Sequence, residues 1–168
     1  MLWALRHLLA IGVLPFTMAV AIPVWLARRE GIVFQPGPGT IQLFAQALGA
    51  SLLAIGIVLF LASVRQFATE GRGTLAPWDP PRRLVVRGPY RYVRNPMISG
   101  VVFALFGEAL LLLSRPHLIW ALTFLAINCL YIPLVEEPML ALRFGEDYRE
   151  YCRQVPRLVP RWRPYDPR

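Results

Sequence analysis

Apolar residues in this chain come in long, nearly unbroken runs, neither the alternation of a half-buried strand nor the one-sided stripe of a soluble helix. The first run covers residues 8–26, broken by Pro15 and Pro23, and the second covers 41–64, rich in Ala, Leu and Ile. The third and fourth cover 96–114 and 118–135, with only Arg115, Pro116 and His117 between them. Each run is close to the ~20 residues a helix needs to cross a bilayer. The pattern predicts an all-α membrane protein, a single domain over 1–168 with about four transmembrane helices, the last two forming an antiparallel hairpin. Gly49 and Gly56 in the second run would let a neighbouring helix come close.

The polar stretches fill in the rest. Residues 28–39 read as a short Pro/Gly-rich loop, and 65–94 as a long one, too broken by Gly71, Gly73, Pro77, Pro80 and Pro81 to be a helix. A loop of that length with Arg and aromatic residues points to function. After Glu136 and Glu137, Pro138 can open a new helix. Met139, Leu142, Phe144, Tyr148 and Tyr151 give that helix an amphipathic character suited to the cytoplasmic membrane interface. The tail from 155 to 168 is Pro/Arg-rich and expected to be extended, over the site or along headgroups. The first run also fits a cleaved signal peptide, with Arg6 as its charged start and Ala19, Val20 and Ala21 as a cleavage site, although apolar character continues past Ala21.

Composition agrees with a membrane protein: 168 residues are 56% hydrophobic, and the mean hydropathy is +0.47. All 18 basic residues are Arg, and the net charge is +8. Nucleic acid is one partner for such a charge, but basic loops flanking apolar spans explain it without one, so the expected partner is the bilayer. With the amino terminus inside, fifteen of the eighteen arginines fall on the cytoplasmic side of an inner membrane, and only Arg28, Arg29 and Arg115 fall outside. His7 and His117 lack ligand-type neighbours, and Cys129 and Cys152 stand alone, so no metal site is expected.

Candidate chemistry gathers at two ends of the apolar runs. Asn95-Pro96 is a helix-start signal, with Asn suited to cap the first turn and Pro to its first position. The unpaired amides and partial positive charge of such an end suit an anion. Glu136 and Glu137 close the fourth run, where a helix carboxyl end would disfavour carboxylates and a cation would be welcome. The two ends together suit a ligand carrying both charges, and S-adenosylmethionine is such a ligand. Blander readings stand beside these. Arg87, Arg91 and Arg94, spaced to share one face of a helix, suit lipid phosphates as well as a substrate. Tyr90 and Tyr92 suit interfacial anchoring, and the two Glu suit pairing with Arg143 or the loop arginines. Glu108, inside the third run, costs ~3 kcal/mol or more in the membrane unless paired or neutral, and Asn128 is the partner expected for it.

The motifs LVxxGPYRYVRxPMxxG and EExxLxxRFGxxYxxYxxxVPRxxP, in that order about two apolar runs, resemble the isoprenylcysteine carboxyl methyltransferases and phospholipid methyltransferases. The resemblance covers about residues 74–163. It implies an integral membrane methyltransferase that uses S-adenosylmethionine on a lipophilic acceptor, with its active site facing the cytoplasm. It further implies that Leu84 and Val85 line an adenosine pocket with Tyr90. Asn95, Pro96, Met97 and Ile98 would hold the methionine end, and Glu136 would take the ammonium or ribose hydroxyls, with Glu137 beside it. Arg91 and Arg94 are the substrate-side candidates. No catalytic base is implied, because the leaving group is already activated.

Three positions depart from the family pattern: Asn95 stands for a His, Ile98 for a Tyr, and Ile132 for the Arg that meets a substrate carboxylate. A neutral or amine acceptor, such as a phospholipid headgroup, a thiol or a quinone-like phenol, therefore fits at least as well as a carboxylate. Two other readings stay open. Sterol-type membrane reductases using NADPH have a similar GPYR…P motif, though they carry Asn-Tyr where Met97 and Ile98 follow here. A catalytically silent membrane interaction module would tolerate all three departures.

Overall fold

The computed structural model describes residues 12–70 and 84–166. The start of the first apolar run, Arg6, His7 and most of the Gly/Pro-rich part of the 65–94 loop lie outside the described residues. Among those described, every regular element is helical. A π-helical stretch, Gly12–Ala21, leads into α1 (Ile22–Arg29). Then come α2 (Thr40–Glu70), a 3-10 turn (Gly88–Arg91), α3 (Pro96–Leu111), α4 (Arg115–Tyr131), a π turn (Ile132–Glu136) and α5 (Glu137–Gln154).

Among the described residues, two helices are long and apolar enough to cross a membrane: Thr40–Gln66 within α2, and the continuous helix Arg115–Gln154. Only 17% of the most apolar window of each is buried inside the protein, which separates them from the core helices of a soluble domain. Ile41, Phe44, Val58, Ile119, Leu130 and Leu134 are instead exposed, an outward apolar surface suited to lipid. At ~1.5 Å per residue, α2 runs about 46 Å and so reaches beyond a hydrocarbon core of about 30 Å. Its far end stands beside the 3-10 turn, where the candidate chemistry lies.

α3 is the shortest of the apolar helices and the most enclosed, packed between α2 and α4. Its antiparallel seam with α2 is built from glycine. A methyl group on Gly56 would lie 2.6 Å from the Gly100 carbonyl oxygen and from the Ala104 amide nitrogen. One on Gly107 would lie 2.5 Å from the Leu53 nitrogen and 2.8 Å from the Gly49 carbonyl oxygen. The seven-residue spacing of Gly49 and Gly56 meets that of Gly100 and Gly107 run in reverse. In lipid no hydrophobic force drives helices together, so such backbone contact supplies the packing attraction instead. On its other side Val101 and Leu105 meet Ala121 of α4, with Phe60 and Phe124 closing the cluster.

Three local expectations are corrected. Arg115, Pro116 and His117 are not the turn between the third and fourth runs but the first turn of α4. The turn is residues 112–114, with Leu113 at φ 50°, and Ser114 caps α4 by accepting from the His117 amide at 3.4 Å. The Glu pair does not sit at a helix carboxyl end, because the helix continues through the π turn into α5. Pro133 has no N–H to give, and the wider turn absorbs that gap rather than ending the helix. The interfacial segment is thus an extension of the span, broken only at Gly145, whose φ of 60° and ψ of −133° suit glycine alone. Finally, Glu108 does not meet Asn128: the Asn128 amide donates to the Phe124 carbonyl at 2.9 Å, and Glu108 Oε2 is buried without a partner among the described residues.

Candidate functional site

The motif segment 84–95 is held by its glycine. Gly88 has φ +56°, a left-handed conformation that L side chains rarely adopt, and a Cβ there would press on the Gln66 side chain of α2 at 3.3 Å. From that bend the 3-10 turn carries Tyr90 inward, 8% exposed, and Val93 follows it at 1%. Val85 is buried, and Leu84 half-buried. Arg87, Arg91 and Arg94 therefore do not share a helical face, because the turn ends at Arg91 and the chain extends beyond it.

The carboxyl-terminal residues 155–166 lie along this segment as a strap. The amides of Arg94 and Asn95 donate to the carbonyls of Pro156 and Arg157 at 2.9 and 3.2 Å, and those of Arg161 and Tyr165 to Tyr92 and Arg91 at 2.9 and 2.8 Å. The Ser99 hydroxyl donates to the Leu158 carbonyl at 3.1 Å. Beneath the strap the Tyr151 hydroxyl donates to the Tyr90 carbonyl at 2.6 Å, and Tyr148, Tyr151 and Val155 form a small buried core with Leu84, Val86 and Tyr165 against it. Burial, with Tyr151 and Glu136 nearby, pushes the Tyr90 phenol well above its ordinary range, so it stays protonated.

Both substrate-side arginines are tied within the protein. Arg91 Nε donates to the Tyr165 carbonyl at 2.6 Å, and its Nη2 meets Asp166 at 3.1 Å. Arg94 Nη1 meets Glu137 Oε1 at 2.9 Å and Cys152 Sγ at 2.8 Å. Arg157 completes a three-membered charge cluster: its Nε and Nη2 fork onto the two Glu137 oxygens at 2.7 and 2.9 Å. A bidentate guanidinium–carboxylate pair is the strongest common form of this contact. Glu137 is therefore doubly paired. Its neighbour Glu136 is half-buried and has no hydrogen bond or ion pair among the described residues.

Asn95 precedes α3 and Pro96 begins it, but the Asn95 side chain does not cap the first turn. Its Nδ2 points instead to the Arg157 carbonyl, at 3.5 Å. The Met97 and Ile98 amides consequently have no acceptor among the described residues. Pro96 is buried, and Met97 and Ile98 are half-buried. An open groove of about 490 Å³ runs past Glu137, between Pro133, Pro138, Tyr148 and Cys152. Of the site residues expected from sequence, only Glu137 lines it.

Tyr151, Cys152 and Arg157 are the participants that sequence reasoning passed over. Their signals were present in the YxxYxxxVPR run, but nothing in the spacing says that this run returns to the GPYRYVRNP turn.

In this helical framework, whose exposed apolar helices suit a membrane, a charged cluster joins the segment after the GPYR turn to the Glu pair. The sequence model of the phospholipid methyltransferase family matches residues 44–147, and the chain belongs to that family. It is also 35% identical over 72 residues, 43% of its own length, to methanethiol S-methyltransferase 2 of Bradyrhizobium diazoefficiens. That stretch is 27% of the relative, so the chain spans about a quarter of the length of the curated relative it matches. No solved structure matches.

Proposed function

We propose that this chain is an integral membrane methyltransferase that takes its methyl group from S-adenosylmethionine and passes it to a lipophilic acceptor at the cytoplasmic face. One observation carries the reading: of two adjacent carboxylates, Glu137 is consumed by Arg94 and Arg157 while Glu136, beside the buried Tyr90, is left without a partner among the described residues. Burial and the neighbouring Glu137 push the Glu136 carboxyl above its ordinary range, so keeping it ionised is costly unless it serves a cation. The donor set fits such a ligand at both poles, with Glu136 for an ammonium or ribose hydroxyl and the Met97 and Ile98 amides for a carboxylate. Leu84, Val85 and Tyr90 supply the apolar and aromatic wall for an adenine.

Bound S-adenosylmethionine supplies a methyl group on a sulfonium, a leaving group that needs no protonation. The residues of this chain then have only to position and exclude water. Tyr90, held protonated, is an available hydrogen-bond donor. Glu137, Arg94 and Arg157 fix the two helix segments from which the contacts project.

The acceptor is a phospholipid headgroup, a thiol or another group without a carboxylate. Ile132 is fully buried at the position where a carboxylate-binding Arg would stand, which supports this choice. The similarity to a methanethiol S-methyltransferase favours a thiol among these. The single domain spans the membrane four times, over 8–26, 41–64, 96–114 and 118–135, with 65–96 and the carboxyl terminus in the cytoplasm.

Calorimetry on the purified protein tests the cofactor. Binding of S-adenosylmethionine and its demethylated product in preference to NADPH is expected, and binding of NADPH alone would replace this reading with a reductase. Labelling of Gln35→Cys and Leu75→Cys, in a background without Cys129 and Cys152, tests the topology. The two positions are expected to label from opposite sides, and equal labelling from one side would sink the four-span arrangement.

A further inference from the structure

The family match ends at residue 147, yet the contacts that hold the motif turn come from beyond it. We propose that the strap 155–166 is a working part of the cofactor site, with Arg157 as the positioning residue that sets the start of α3 against Glu136. The inference rests on the methyltransferase reading and deepens it.

Arg157 touches both poles of the site at once. Its guanidinium forks onto Glu137 at 2.7 and 2.9 Å, and its carbonyl accepts from the Asn95 amide at 3.2 Å and from Asn95 Nδ2 at 3.5 Å. Pro156 and Leu158 on either side accept from Arg94 and Ser99. Three consecutive strap carbonyls thus grip the entry to α3, while the side chain of the middle one grips α5. Glu136 and Glu137 are neighbours on unbroken helical backbone, with φ/ψ of −69°/−51° and −62°/−42°. Fixing Glu137 therefore fixes where Glu136 projects, about 100° around the helix.

The second effect is on Asn95. A free Asn at that place would turn its oxygen onto the first-turn amides, which is what makes Asn a strong amino-terminal cap. Here the strap engages its amide group, the cap is not made, and the Met97 and Ile98 amides stay available. Arg157 keeps the anion pole open and the cation pole in place, and it touches neither end of the ligand itself. Lys at 157 would keep the charge opposite Glu137 but lose the fork.

The test compares wild type, Arg157→Ala and Arg157→Lys in lipid nanodiscs by amide hydrogen exchange without ligand and by calorimetry with S-adenosylmethionine. In Arg157→Ala, faster exchange of the Arg94 and Asn95 amides is expected, together with S-adenosylmethionine binding weakened on the order of tenfold or more, as for other ångström-scale misplacements. Arg157→Lys should fall between, and it serves as the reporting variant if Arg157→Ala does not fold. A purely stabilising role would lower the unfolding midpoint and leave the Kd alone. A wild type that binds, with both variants binding equally well, overturns the inference and spares the methyltransferase reading. A wild type that binds no S-adenosylmethionine overturns both.

Discussion

The length of α3 and its start are held by opposite physics. Along its length, Gly100 and Gly107 meet Gly56 and Gly49 with backbone against backbone and no polar side chain between. At its start, the chain is fixed by a charge cluster and by hydrogen bonds from a strap some sixty residues away. Inside lipid, close packing is the available attraction, whereas at the membrane boundary charges gain from pairing and water is near enough to share the cost. The seam has no room for change. The boundary cluster tolerates change, and it leaves Glu136 unspent among the described residues.

The largest loss is expected where the seam is filled. Gly56→Leu places several atoms where one methyl already comes to 2.6 Å of two backbone atoms, and overpacking of this kind costs about 3 kcal/mol or more. Unfolding in detergent should show it, and a variant as stable as wild type would mean the helices are not in backbone contact. Next comes Glu137→Ala, which strands Arg94 and Arg157 opposite no carboxylate. A fully buried cluster would lose 3 to 5 kcal/mol; with side chains 11% and 37% exposed, a loss nearer ~2 kcal/mol is expected from the same measurement. Smaller still is Asp166→Ala at the exposed end of the strap. Its carboxylate is 91% exposed, so removing the pair with Arg91 should cost under about 1 kcal/mol, and less in high salt. A large drop there would move the lock from Arg157 to the end of the chain.

The seam was half legible beforehand. Gly49 and Gly56 announce a close approach by their spacing, but their partners cannot be named until α3 is laid antiparallel, which is why Gly100 read only as part of a motif. The turn at 112–114 was misplaced by one helical turn because Arg115-Pro116-His117 looks like a loop, while Ser114 in front of it is a cap. Asn95 was read as a cap for equally local reasons, and a tertiary contact with Arg157 overrode that preference. The helix was expected to end at the Glu pair because the apolar run stops there and Pro138 can open a new helix, and the π turn that carries it through leaves no periodic trace. Arg157 lay in view in the VPR triplet, but a bond across sixty residues leaves no mark in either segment alone.

The division of labour between Glu136 and Glu137 is the point on which the rest depends, and Glu136→Gln tests it most directly. The substitution keeps shape, leaves the Glu137 cluster intact and removes one charge, so the unfolding midpoint should not move. A charge-assisted hydrogen bond is worth ~1.5 to 3 kcal/mol, so calorimetric binding of S-adenosylmethionine should weaken by roughly 10- to 150-fold. Unchanged binding with a markedly lower midpoint would contradict this, and would make both carboxylates parts of one structural ion network.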